Sequence, residues 1–139
     1  MYIFVSPEDL SSNVYNKRYQ ITNTISDFTL ILPKELSLPG AWDISILELS
    51  LHGTLTRDIY IHCNIIEWSL LNSEWKPILW AFRQSLETSE HRFLKVIPSS
   101  IQRISFSIRD SVDNKVSLTG LSFILNLRQR NNESGSIHI

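Results

Sequence analysis

The stretch Trp42-Asp43-Ile44-Ser45-Ile46-Leu47-Glu48-Leu49-Ser50-Leu51 decides the fold class. Trp42, Ile44 and Ile46 alternate with Asp43 and Ser45. Successive side chains of a strand point to opposite faces, so this spacing marks a half-buried strand. The phase then slips, and Leu47, Leu49 and Leu51 carry the apolar face onward. A one-residue slip turns every later side chain to the other face. A β-bulge near Ile46-Leu47, or burial on both faces, accounts for it.

The alternation repeats on both sides of this stretch. Phe28, Leu30 and Leu32 precede it; Ile59, Ile61, Cys63 and Ile65 follow. Ile104, Phe106 and Ile108 make a further set, and Leu121, Phe123, Leu125 and Leu127 close the series. Turn chemistry separates the sets: Leu38-Pro39-Gly40, His52-Gly53-Thr54, Pro98-Ser99-Ser100 and Thr119-Gly120. The run from Asp110 to Lys115 reads as a hairpin loop, with Asp113-Asn114 suited to positive φ. Short strands punctuated in this way predict an all-β sandwich or barrel. Residues 80–90 are the best helix candidate, with strand plus loop as the alternative. Ser6-Pro7-Glu8-Asp9-Leu10 is suited to a single helical turn.

The chain's 139 residues suffice for one domain with its own core. No linker divides it, so residues 1–139 are expected to form a single domain. An N-terminal arm (about 1–20) and a polar tail (about 129–139) are expected to flank it. The single cysteine has no partner for an internal disulfide, and synthesis in a reducing compartment is the simplest expectation. Lys+Arg total 13 against Asp+Glu 14, which supplies no positive field for non-specific nucleic-acid binding. No apolar run approaches the roughly 20 residues that span a bilayer, so no membrane insertion is expected. Met1-Tyr2-Ile3-Phe4-Val5 lacks a basic n-region and is not read as a signal peptide.

Candidate sites have plain structural readings. His62 adjoins Cys63, but strand neighbours face opposite ways, and Cys63 continues the phase of Ile61 and Ile65. A buried, inert cysteine is expected. His52, His62, His91 and His138 lack partners at metal-ligand spacing, so no metal and no cofactor are expected. Asp27, Asp43, Glu48, Asp58, Glu67, Asp110 and Asp113 are spread over strand ends and loops and form no local catalytic signature. No catalytic residue is assigned, and the chain is not expected to be an enzyme. Arg103, Arg109, Arg128 and Arg130 would form a stripe only if their strands pair. Asn132-Glu133-Ser134 matches a glycosylation sequon, read as coincidence. Among the 4 tryptophans, Trp42 fits a core face, while Trp68, Trp75 and Trp80 cluster with Leu70, Leu71, Ile78, Leu79 and Phe82. That cluster is either internal core or an apolar surface that another subunit covers.

The order of the segments carries a resemblance. The run Leu32-Pro33, then Gly40-Ala41-Trp42-Asp43-Ile44-Ser45-Ile46, resembles the Leu-Pro…Gly-x-Trp-Glu-Val-Ala-Leu pattern of small capsid proteins in Maverick/Polinton elements and adintoviruses. Tyr60-Ile61-His62-Cys63-Asn64-Ile65 resembles their Tyr-x-Tyr-Cys-Asp-Ile strand. Pro77-Ile78-Leu79-Trp80 resembles their Pro-Leu-Leu-Arg, with Trp80 in place of the Arg. The segment Ile104-Ser105-Phe106-Ser107-Ile108-Arg109-Asp110 and the run from Gly120 to Arg128 match two later strands.

The resemblance implies a single jelly-roll sandwich of about eight antiparallel strands. It also implies a penton-like or minor capsid protein that forms a homopentamer beside a major capsid protein in the virion, made in the host cytoplasm or nucleus. Residues 68–82, residues 1–19 and the tail are expected to make the subunit contacts. The alternative is a ligand- or receptor-binding module, lectin-like or a viral attachment head, using Trp75 and Trp80.

Overall fold

The computed structural model describes residues 1–6, 26–52, 58–82, 93–116 and 118–130. Strands there are β1 (Tyr2–Val5), β2 (Asp27–Ser37), β3 (Trp42–His52), β4 (Ile59–Cys63) and β5 (Ser69–Leu71). They continue with β6 (Glu74–Lys76), β7 (Ile78–Phe82), β8 (Leu94–Lys95), β9 (Ser100–Arg109) and β10 (Gly120–Gln129). No helix occurs among the described residues.

Two 4-stranded antiparallel sheets form, ordered β1-β10-β3-β8 and β2-β9-β4-β7, and β5-β6 is a separate hairpin. With that hairpin set aside, the pairing is nested. The first strand lies beside the last (β1 with β10), the second beside the second-last (β2 with β9), then β3 with β8 and β4 with β7. The contacts β10-β3 and β9-β4 complete each sheet.

The alternating residues meet in one core. The β1-β10-β3-β8 sheet contributes Val5, Ile44, Ile46, Leu121, Phe123, Leu125 and Leu127. The other contributes Phe28, Leu30, Ile59, Ile61, Cys63, Ile104, Phe106 and Ile108. Each such side chain taken from water stabilises the fold by about 1.5–3 kcal/mol. Phe106 joins the layers: it stacks on Phe28 at 5.0 Å and meets Phe123 edge-on at 5.3 Å.

The phase slip in β3 is a β-bulge. Leu47 pairs with Ile124 and Ser50 with Ser122, so β3 advances 3 residues while β10 advances 2. Glu48 takes φ 49° there. The slip falls later than Ile46-Leu47: Leu49 and Leu51 pack on the core, while Leu47 faces outward in register with Ile124. A larger irregularity interrupts β2, where Ile31 opposes Arg103 and Leu36 opposes Ile101. Pro33, which has no N–H, lies in it beside exposed Lys34 and Glu35, a combination that blunts an edge strand.

Other expectations are corrected. The helix candidate at residues 80–90 begins as strand β7, and 83–92 lie outside the described residues. Trp80 and Phe82 both pack on the core, two positions apart, which is the strand period. The expected arm starts as strand β1, with Ile3 and Val5 against the core; residues 7–20, including the helical turn expected near Pro7, lie outside the described residues. The expected tail starts within β10, since Gln129 still pairs with Trp42; residues 131–139, with the sequon, lie outside.

Candidate functional site

Two surfaces stand out on the described residues. The first is a trough of about 290 Å³ on the outer face of the β2-β9-β4-β7 sheet. Its floor is Ser105 and Ser107 on β9, small side chains that leave room above the strand. Asp27 and Thr29 of β2 wall one side, His62 and Asn64, in and just after β4, the other, and Arg109 and Pro77 also line it.

A charged network organises one end. Ser107 Oγ donates to Asp27 Oδ1 at 2.6 Å and accepts from Arg109 Nε at 2.6 Å. Lys115 Nζ lies 2.9 Å from Asp27 Oδ2, and the Arg109 guanidinium 3.7 Å from Oδ1. Burial opposes the charge on Asp27, but Lys115, Ser107 and Arg109 outweigh it and hold the carboxyl below its usual range. Ser107 is thereby a bridge between acid and base.

His62 sits across the strand from Ser107. Its Nε2 is buried and finds no hydrogen-bond partner among the described residues. Burial lowers its pKa; the Lys76 and Arg109 cations push the same way, and Asp113 opposes them. Cys63, on the opposite face, is fully buried, and burial pushes its thiol up to about 12. Its thiolate is therefore scarce at neutral pH, as expected from its phase.

The remaining candidates are dispersed. Asp110 is buried and builds a turn: Oδ1 accepts from Val112 N at 3.0 Å and Asn114 N at 2.8 Å, and Oδ2 from Asn114 Nδ2 at 3.2 Å. Asp113 then takes φ 71°, the conformation its residue type allows. Asp43 pairs with Arg130, and Glu67 Oε1 accepts from Lys95 N at 2.9 Å. Glu48 is exposed on the bulge. Asp58, partly buried just before β4, is not among the trough-lining residues. His52 Nε2 and Ser50 Oγ lie 3.0 Å apart; His91 and His138 are outside the described residues. No group of His, Cys, Asp or Glu suited to a metal occurs among the described residues. The arginine stripe does not form. Arg103 and Arg109 lie on one sheet, and Arg128, at the end of β10, lies on the other, over the Phe93 ring at 3.5 Å.

The second surface is the β5-β6 hairpin. Asn72 and Ser73 both have positive φ (51° and 65°), the geometry of a tight two-residue turn. Leu71 is buried against Tyr60, Ile78 and Ala81 on the outer face of the sheet below. Asn72 Nδ2 donates to Ser111 O at 3.0 Å, and Lys76 Nζ lies 3.5 Å from Asp113 Oδ1. These contacts tie the hairpin to the 110–114 turn. Its other face bears the cross-strand pair Leu70 and Trp75, with Trp68 just before β5. These side chains remain 60%, 62% and 60% exposed. Trp80, by contrast, packs on the core, so the expected aromatic cluster divides into a buried and an exposed part. Tyr2 and Phe4 make a further exposed aromatic pair on the other sheet.

The chain matches no family model, and no curated protein or solved structure is significantly similar to it.

Proposed function

We propose that this chain is a structural virion subunit, a penton-like or minor capsid protein that self-associates, as a homopentamer, beside a major capsid protein at capsid vertices. The observation that carries the proposal is the nested strand order. Eight strands paired first with last, inward to a central pair, in two 4-stranded sheets, support a single jelly roll. The separate β5-β6 hairpin is an insertion between the central pair. The order of sequence segments described above points the same way.

The hairpin supplies the contact surface in this reading. The exposed parts of Trp68, Leu70 and Trp75 amount to roughly 400 Å², taking about 150–250 Å² per aromatic side chain. Apolar patches of a few hundred Å² mark partner sites on soluble proteins. A ring of identical subunits needs two different surfaces per copy, meeting head to tail. The hairpin on one sheet and Tyr2 with Phe4 on the other are two such surfaces.

Light scattering coupled to size exclusion, over a concentration series, tests the proposal. Assembly that is lost on Leu70→Ser with Trp75→Ser is expected. A strictly monomeric native chain that also fails to co-assemble with a double-jelly-roll capsid protein would overturn it. Exposed Trp75 also suits the ligand-binding alternative, through stacking on a sugar ring. Glycan-array binding sensitive to Trp75→Ala would favour that reading.

A further inference from the structure

We propose that His62 is an acid-triggered latch for the β5-β6 hairpin: a proton gained at its buried Nε2, which has no hydrogen-bond partner among the described residues, releases the hairpin from the 110–114 turn. The effect on assembly rests on the reading that this hairpin is the contact surface; the latch itself does not.

Three charged groups act on the ring. Lys76 of β6, Asp113 of the turn and Arg109 of β9 act on the ring through their charges. Behind Arg109 stands Asp27, engaged with Lys115, and Glu74 pairs with Lys76 at 3.5 Å. The neighbouring strand β7, Ile-Leu-Trp-Ala-Phe, brings no charge. Around the neutral imidazole, Asp113 is shared between Lys76 and the backbone reach of Arg109, whose Nη1 donates to Asp113 O at 3.4 Å.

A proton on Nε2 adds a third cation to a cluster with one carboxylate acting on the ring. Two responses are open. Asp113 can turn to the imidazolium, and Lys76 then keeps only Glu74, on its own strand, and loses its tie to the turn. Otherwise the imidazolium stays unpaired beside Lys76 and Arg109, and repulsion opens the site to water. Either response breaks the Lys76–Asp113 tie. The lysine side chain is only 13% exposed, so a lost partner matters there. What remains is the Asn72–Ser111 hydrogen bond and the small Leu71 contact.

The sign follows from linkage. The docked state holds His62 below its ordinary value of 6.5, chiefly through burial. An open hairpin returns the ring to water, where it binds its proton more readily. Docking is therefore complete above 6.5 and weakens as pH falls below it. Histidine is the side chain suited to such a transition under physiological conditions.

The test uses nitrogen-15-labelled full-length chain between about pH 7.5 and pH 5. The His62 ring and the amides of Leu70, Leu71, Trp75 and Lys76 are titrated together. Hairpin amides should shift with the midpoint of the His62 ring. Their exchange, corrected for intrinsic rate, should rise severalfold over the core strands. His62→Gln should abolish both responses. Hairpin amides that ignore pH in the native chain, or that titrate with a midpoint other than that of the ring, overturn the latch, whether or not the variant folds. Light scattering across the same range separates the two ideas. A hairpin that opens with His62 while assembly persists refutes the contact reading and leaves the latch standing.

Discussion

Replacing Asp110 tests how a buried carboxylate shapes the surface. Asp110→Ala removes the acceptor for two backbone N–H groups and one side-chain amide. Hydrogen bonds to a charged group contribute about 1.5–3 kcal/mol each, but Val112 and Asn114 are exposed and water replaces part of the loss. The net expected loss is about 2–4 kcal/mol. Urea unfolding of a small domain has a slope of about 1–3 kcal/mol per molar. The midpoint should therefore fall by roughly 1–2 M. Asp110→Asn keeps an acceptor oxygen and should lose about half as much. The turn also anchors the hairpin through Ser111 and Asp113, so the alanine variant should self-associate less at concentrations where it is still folded. An alanine variant within about 0.5 kcal/mol of the native chain would refute the reasoning, because that is the range of an unremarkable surface change.

Other expectations follow from the same contacts. Cys63 should resist thiol reagents in the folded chain near pH 8 and react on unfolding; fast native labelling would show that its burial is wrong. Glu48→Gly should stabilise by roughly 0.5–1 kcal/mol, since relief of the positive φ exceeds the extra freedom glycine gives the unfolded chain. Glu48→Val should destabilise by about 1–2 kcal/mol, and thermal melts of the pair check both signs. The stability that ionised Asp27 supplies is present above its unfolded value of 3.8 and is lost as pH falls through its lowered folded value. Asp27→Asn should flatten that acid limb in a pH series of urea midpoints, and an unchanged limb would count against the network.

The strands were legible because a half-buried sheet writes its faces into the sequence at period two. The slip after Ile46 even announced the bulge, though not its position, because Leu47 and Leu49 are equally apolar and only pairing with Ile124 separates them. No alternating set covers the β5-β6 hairpin. Its signal was present: Asn72-Ser73, suited to positive φ, between Leu70 and Trp75. The flanking strands are only 3 residues each, too short for a periodic pattern. Trp80 and Phe82, two positions apart, fit the strand period alone, and only the looser spacing on to Leu86 and His91 suggests a helix. The trough was illegible for a different reason. Asp27 and Ser107 stand 80 positions apart, and only the register of β2 on β9 brings them together. The charges that act on His62 likewise come from three other elements.

The pairing of β1 with β10 has a consequence for the timing of synthesis. Tyr2 lies opposite Asn126, so β1 waits for β10, made more than a hundred residues later. Until then Tyr-Ile-Phe-Val has no native neighbour on β10, and it is an uncharged, sticky segment. The central pair β4-β7 needs only the short stretch between Ile59 and Phe82 and can close on the ribosome. Each outer pair must bridge a longer loop than the one inside it. Folding should therefore run outward from the β4-β7 pair, with β1 joining last. A nascent chain stalled before residue 120 would be a two-sheet intermediate with an open seam, and the seam is where chaperones or a neighbouring copy would bind.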